Sequence, residues 1–380
     1  MREEYFSLFY KGVYNMKNWN YESDKKVSTG YEDVLNLLRQ YKKEDFEKAD
    51  EYKKTEMIND VFNIYRSKNI FPIQYFNDEG IKDEIKKCIN KEVVFDGNIL
   101  NLKFNQGSSL CKFLFPNLQE VRTEGENSRT MYKKFYDDHL LKRAIKLSLS
   151  IKKSVTPSEL RSSMELIGGT VATNFKPMNA KALYEYYAPK NGVVYDFSGG
   201  FGGRMLGCLT SKNNYKYIAV EPNSETYENL LKLGKYIESV TGRNSSFEIY
   251  KVGSEDFKPQ NNFVDFAFSS PPYFNLEVYS DEDTQCYNKF KELDAWLEGY
   301  VKPTIRNVYD ILKEEGIFAV NIADFKFRNK NIKFVDEWIK IAIEEGFKLE
   351  NNISMKLTTR KGVGHKEDKK EGIFIFSKNK

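Results

Sequence analysis

Two adjacent prolines, Pro271 and Pro272, follow the apolar run Phe263-Val264-Asp265-Phe266-Ala267 and the residues Phe268, Ser269 and Ser270. The run has the character of a buried strand, and neither proline can donate to a sheet ladder, so the strand must stop abruptly. What remains at its carboxyl end is a rigid turn that carries the Ser270 hydroxyl, the Pro271 carbonyl and two rings, Tyr273 and Phe274. Open α/β sheets bind their ligands at that edge. The stretch therefore calls for a sheet whose functional groups sit at its strand ends.

The flanking sequence supplies such a sheet. Gly192 to Asp196 reads as a first strand and runs into Phe197-Ser198-Gly199-Gly200-Phe201-Gly202-Gly203, followed by a helix through Cys208. Four glycines in five positions let the backbone turn sharply and bring N–H groups close to a ligand. The spacing, Asp196 then Gly200 then Gly202, departs from the dinucleotide fingerprint, because Met205 stands where its third glycine would be. A second strand, Tyr215 to Val220, ends in Glu221, a carboxylate placed to accept both hydroxyl hydrogens of a ribose. A third, Phe247 to Val252, leads to Asp256 and Phe257, an acceptor for an adenine amino group and a ring to pack on the base; Glu255 competes for the first role. The strand before the prolines is the fourth. Gly316 reads as the cap of a helix ending near Leu312, before a fifth strand, Ile317 to Ile322. A helix from Phe334 to Ile343 and a terminal hairpin, Phe347 to Met355 with Ile373 to Phe376, complete seven strands.

Upstream, residues 1–155 carry no catalytic motif. Tyr31 to Lys43, Glu44 to Ser67 and Ile81 to Ile89 show apolar residues at helical spacing, and Lys91 to Phe104 reads as a hairpin around Asp96-Gly97-Asn98. From Arg129 to Lys153 a helix would bear a basic stripe that includes Lys133, Lys134, Lys142, Arg143 and Lys146. Such a stripe is either a solvated face or a phosphate-contacting surface. Thr156-Pro157 starts another helix, and a domain boundary near 155 follows. Two polar stretches interrupt the second half. Asn275 to Asn288 is long enough to be a mobile functional loop, and the basic Lys356 to Lys370 contains Arg360 and Lys361.

Composition limits the function classes. At 380 residues, with 40% hydrophobic and 30% charged, the chain suits a globular α/β domain plus a smaller unit. No apolar run approaches a membrane span, and Met1-Arg2-Glu3-Glu4-Tyr5-Phe6 lacks the features of a signal peptide, so a cytoplasmic protein without a membrane partner is expected. Four dispersed cysteines and the two histidines His139 and His365 offer no metal-ligand spacing, and no metal is expected. The net charge of +4 is too small to announce a nucleic-acid binder by itself.

Ser270-Pro271-Pro272-Tyr273, the glycine loop and the strand-end acids together resemble the class I S-adenosylmethionine-dependent amino-methyltransferases of DNA, over about Val171 to Phe376. The resemblance implies a Rossmann-like, seven-stranded α/β methyltransferase sheet with a C-terminal β-hairpin, beside a mainly helical N-terminal domain over 1–155. It implies S-adenosyl-L-methionine as cofactor, with Asp196, Ser198, Gly200, Gly202, Glu221, Asp256 and Phe257 around it, and with Asn174, Phe175 and Pro177 closing over its methionine end. Ser270, Pro271, Pro272 and Tyr273 would be catalytic. Phe274, Arg143, Lys146, Arg360 and Lys361 would face a nucleic-acid partner, double-stranded DNA, whose target base is turned out of the helix. Serine at the head of the motif is commoner in cytosine N4 enzymes than in adenine N6 enzymes, and the target base stays open. An RNA or protein-amide methyltransferase is the alternative, and a catalytically silent binding protein is the alternative from another class. Recognition sequence, partner nuclease and oligomeric state are not encoded legibly.

Overall fold

In a computed structural model, residues 24–100, 102–123, 129–169, 171–258, 260–274, 276–327, 330–356 and 370–379 are described. The short β-branched and aromatic runs that stop at Asp196, Val220, Tyr250 and Ser269 form β1 (Val193–Asp196), β2 (Lys216–Val220), β3 (Phe247–Tyr250) and β4 (Val264–Ser269). Val194, Tyr195, Phe266 and Phe268 are fully buried, as strands covered on both faces require. Three more strands follow, β5 (Leu312–Ile322), β6 (Phe347–Lys356) and β7 (Lys370–Lys378). Their order across the sheet is β6, β7, β5, β4, β1, β2, β3. β7 runs antiparallel to both β5 and β6, and β3, β2, β1, β4 and β5 are parallel. This is the Rossmann-like methyltransferase sheet with its terminal hairpin. The order reverses between β1 and β4, so a crevice opens at their carboxyl ends.

The chain divides into two units. One comprises residues 24–81 and 116–172 of the described chain, the other 82–115 and 173–379. This differs from a single cut near 155. The first unit is helical and packs Val61, Tyr65, Leu141 and Ile145 in its core, with the Tyr65 hydroxyl donating to the Val155 carbonyl at 2.7 Å. The expected helix over Arg129 to Lys153 is two helices, Met131–Tyr136 and Asp138–Ile151. Asp137 parts them, because its side chain accepts from the Leu140 N–H and caps the second. The basic stripe is broken too. Lys134 is fully buried and donates to the Met164 and Gly169 carbonyls, and Lys142 donates to Asn59.

Other expectations change within the second unit. Lys91 to Phe104 forms no hairpin. Asp96 makes a tight turn by accepting from the Asn98 N–H at 3.0 Å, and Ile99 and Leu100 then pair in parallel with Ser354 and Met355 at the free edge of β6. Gly316 is no helix cap: the preceding helix, Lys302–Ile311, ends earlier, and Gly316 lies inside β5. A side chain there would come within 3.1 Å of the Val264 carbonyl. Among the described residues no helix is long and apolar enough to cross a membrane.

Lys181, on the helix Pro177–Tyr187, is 2 % exposed and donates to the carbonyls of Cys88, Ile89 and Lys91 at 2.9, 3.1 and 2.8 Å. It satisfies the last turn of the helix Asp78–Asn90, whose carbonyls have no intrahelical partner. Replacing it with methionine keeps the volume and orphans three acceptors. Lys181→Met should therefore lower stability by about 1 to 3 kcal/mol, read as a shift of the urea midpoint with unchanged slope.

Candidate active site

Asp196 ends β1 with no exposure at all. Its Oδ2 accepts from the Arg204 Nε and the Tyr217 hydroxyl, each at 2.7 Å, and its Oδ1 accepts from the Ser269 hydroxyl at 2.7 Å and the Ser198 N–H at 3.2 Å. Four donors occupy the carboxylate. Asp196, expected from the resemblance to lie around the cofactor, is buried and uses its carboxylate to hold the glycine loop. Arg204 also donates to the Ser198 carbonyl, so loop and strand end are pinned from both sides.

Gly200 and Gly202 take positive φ values of 58° and 74°. Any side chain on Gly202 would strike Phe115 and Leu233 at under 3 Å. The Gly200 N–H donates to Glu221 Oε2 at 2.8 Å, while Glu221 Oε1 accepts from the Asn223 N–H at 2.9 Å. The acid at the end of β2 therefore fastens the glycine turn. Ser198 is half-buried, with its hydroxyl 3.3 Å from that of Tyr300. Tyr300 is carried on a single π-helical turn, Leu297–Val301, a distortion frequent at functional sites. Asn174 donates to the Phe201 carbonyl at 2.7 Å and Phe175 meets Phe268 edge-on at 5.3 Å, so this segment lies on the glycine loop. The Phe175 carbonyl is so close to Gly203 that no Cβ fits there. Pro177 opens the helix that follows.

At the end of β3 the structure separates the two acids. Asp256 is exposed, whereas Glu255 is buried, and Lys289 bridges them at 2.5 and 2.7 Å. Burial raises the Glu255 carboxyl above its usual range, opposed by Lys289. Its Oε2 has no hydrogen-bond partner among the described residues. Phe257 stacks on Tyr195 at 5.7 Å and is almost buried.

Ser269, which the sequence did not single out, locks the end of β4 to that of β1. The next residues are thereby presented at the crevice. Ser270 is half-buried, and neither its hydroxyl nor the Pro271 carbonyl is bonded within the described residues. The Tyr273 ring stacks on Phe325 at 5.9 Å and lies 5.2 Å from Phe334, and burial, with Glu371 and Glu277 nearby, lifts its hydroxyl well above the ordinary range. Phe274 does not face outward. With φ at 49° it turns into the core, 4 % exposed, edge-on to Trp296.

The stretch expected to be a mobile loop is tied down. Glu282 accepts from the Ser224 N–H and hydroxyl, Thr284 donates to the Pro222 carbonyl at 3.2 Å, and Tyr287 donates to the Ser280 carbonyl at 2.6 Å. These bonds join side chains to groups distant along the chain or to the main chain, which hydropathy does not reveal. Arg143 and Lys146 are exposed on the helix Asp138–Ile151 of the other unit. Arg360 and Lys361 lie outside the described residues.

Residues 264–380 match a family model described as DNA methylase. The match covers β4 to β7, and the strand order and the glycine turn upstream of it agree with a methyltransferase sheet. The second unit is an S-adenosylmethionine-dependent methyltransferase. No curated protein matches the chain in sequence. Similar solved structures include a TehB-like S-adenosylmethionine-dependent methyltransferase from Corynebacterium glutamicum, 13% identical over 58% of this chain and 95% of that one, with a TM-score of 0.35. A methyltransferase from Pyrococcus furiosus is 18% identical over 56% and 87%, with a TM-score of 0.38. The 1,6-didemethyltoxoflavin N1-methyltransferase from Burkholderia thailandensis, solved with S-adenosylhomocysteine, is 12% identical over 54% and 78%, with a TM-score of 0.37. The residues at the strand ends are compatible with such a cofactor: a glycine turn at positive φ, a buried acid at the β2 end and, among the described residues, a carboxylate oxygen without a partner at the β3 end.

Burial pushes the Glu221 carboxyl up to about 7 from an ordinary 4.5, against the two N–H groups it accepts. An acid whose folded-state pKa is raised makes its ionised form costly. Stability therefore declines as pH rises from about 4.5 to about 7, and the full cost is present above. Glu221→Gln should unfold at higher temperature than the parent at pH 8, a gap that narrows toward pH 5. An ionised Glu221 is the better acceptor for two ribose hydroxyls, so if it holds the ribose, calorimetry should show parent affinity for S-adenosylhomocysteine falling below about pH 7, a dependence the variant lacks.

Proposed function

We propose that the protein methylates an exocyclic amino group of a DNA base, adenine N6 or cytosine N4. The observation that carries this reading is a pair of acceptors at the crevice with no bond among the described residues, the Ser270 hydroxyl oxygen and the Pro271 carbonyl, on a turn two prolines make rigid. An exocyclic amine conjugated to a ring donates its lone pair into that ring and is a poor nucleophile. Two acceptors that take its two N–H groups hold the nitrogen in place and favour its pyramidal form, which frees the lone pair. S-adenosylmethionine, when bound, supplies an electrophilic methyl group. The chain needs no general base of high pKa for this, since the amine sheds its proton after attack. Tyr273 walls the site with an aromatic face suited to a base taken out of the stack. The DNA methylase description of the matching family supports the same substrate class.

Nucleic acid must also be gripped. Arg143 and Lys146 are exposed, three residues apart on one helix, and enter no ion pair among the described residues. We assign them to phosphate contact, together with Arg360 and Lys361 of the basic segment between β6 and β7.

With labelled cofactor and duplex DNA, nucleoside mass analysis should reveal N6-methyladenine or N4-methylcytosine. Label that enters only RNA or a glutamine-bearing protein overturns the DNA assignment, and bound cofactor without transfer to any of these points to a silent binding protein. Tyr273→Ala should cut methyl transfer at least a hundredfold while cofactor affinity changes less than threefold, about 3 kcal/mol in the barrier against under 1 in binding. Arg143→Gln with Lys146→Gln should weaken all DNA sequences alike and reduce the log-log salt slope by about 0.9 for each phosphate that is no longer neutralised.

A further inference from the structure

Two acids beside the catalytic turn have no part in the chemistry so far. Directly after the turn the chain folds back: the Leu276 N–H donates to the Tyr273 carbonyl at 2.9 Å and Phe274 holds its positive φ, which returns Glu277 to the neighbourhood of Tyr273, on whose hydroxyl its charge acts. Glu277 Oε2 accepts from the Tyr279 hydroxyl at 2.5 Å, and the Tyr279 ring lies 6.1 Å from that of Phe201 in the glycine loop. Glu277 thus stands between the turn that would hold an amine and the loop that would hold its methyl donor. The second acid, Glu371, precedes Gly372, which pairs with Ile322, so it lies at the end of β5, where the Tyr273 hydroxyl bonds the Ala323 main chain. Both acids are half-buried, and Glu277 Oε1 has no partner among the described residues. Burial lifts the Glu277 carboxyl above the ordinary 4.5; the Tyr279 hydrogen bond opposes this and the charge of Glu371 adds to it.

As an amine nitrogen attacks, the N–C bond forms, the C–S bond breaks, the sulfonium loses its charge and the nitrogen gains one. The methylated amine is left with a proton to shed. Ser270 is uncharged and cannot keep that proton, because a protonated hydroxyl is a far stronger acid than a carboxyl. We propose that Glu277 is a further catalytic residue: its carboxylate faces the amine as positive charge builds there, and Oε1 takes the released proton and passes it to solvent. Glu371 has a positioning role that it exerts through Glu277, since a like charge nearby raises the proton affinity of the acceptor. The assignment rests on the amino-methylation reading above.

Single-turnover methyl transfer by the full chain, with labelled cofactor and duplex DNA saturating at every pH, reads the chemical step apart from binding. The parent rate should climb about tenfold per pH unit along an acid limb that lies above pH 4.5, then level off. Glu277→Gln should lower the plateau roughly a hundredfold and abolish that limb, while calorimetry finds its affinity for S-adenosylhomocysteine within about threefold of the parent. Glu371→Gln should keep the limb and move it to lower pH, because a like charge is gone. Persistence of the parent limb in Glu277→Gln, or a plateau within about threefold of the parent, overturns the inference, as does an equal loss of rate and of S-adenosylhomocysteine affinity. If Glu277→Gln fails to fold, Glu371→Gln decides, and an unmoved limb overturns the inference. A parent protein that methylates no duplex DNA at any pH instead overturns the proposed function on which the inference rests.

Discussion

A fully buried carboxylate at the end of β1 holds this methyltransferase's crevice together. Asp196 gathers a guanidinium from the helix after the glycine loop, a phenol from β2, a hydroxyl from β4 and a backbone N–H of the loop. A carboxyl group in such a place is tolerable only when its oxygens are hydrogen-bonded, and here all the donors come from the segments that meet at the carboxyl ends of β1 and β4. The strands β1 and β4 are neighbours in any sheet with this order. What Asp196 adds is the alignment of their ends, because Ser269 cannot reach it unless β4 stops at the right residue. The two prolines ensure that it does.

A second layer of restraint comes from main-chain groups. Glu221 joins the glycine turn to β2, and Asn174 joins the preceding segment to the same turn. Glycines that would be loose by composition are thereby held at fixed positive φ, which spares a ligand the entropy of ordering them. The neighbouring 279–289 stretch shows the same economy. Its Glu282 caps the helix Ser224–Thr241, where an acid side chain also meets the favourable end of the helix dipole.

Period and punctuation made much of this legible in the sequence. The strands β1 to β4, the glycine loop and the terminal hairpin follow from apolar runs bounded by Gly, Pro or acid, and they lie within a few residues of where the sequence puts them. The sign of a residue's orientation was less legible. Asp196 and Phe274 sit in recognisable motifs, yet both point into the protein, because motif spacing carries no information on which partners compete for a side chain. Ser269, Arg204 and Tyr217 are silent in the sequence for the same reason, since each matters only through a contact far along the chain. The basic stripe failed differently: Lys134 is charged in sequence but has carbonyls waiting for it in the core, a possibility that composition cannot register.

The two-residue strand Ile99–Leu100 has a consequence out of proportion to its size. β6 is the border of the seven long strands, and a border strand shows unpaired N–H and C=O groups that invite another chain to add to it. By pairing with Ser354 and Met355, the upstream segment blocks that end of the border. Leu100 is completely buried in doing so. The carboxyl end of the sheet's border is therefore covered by residues that precede its first long strand by nearly the length of a small domain.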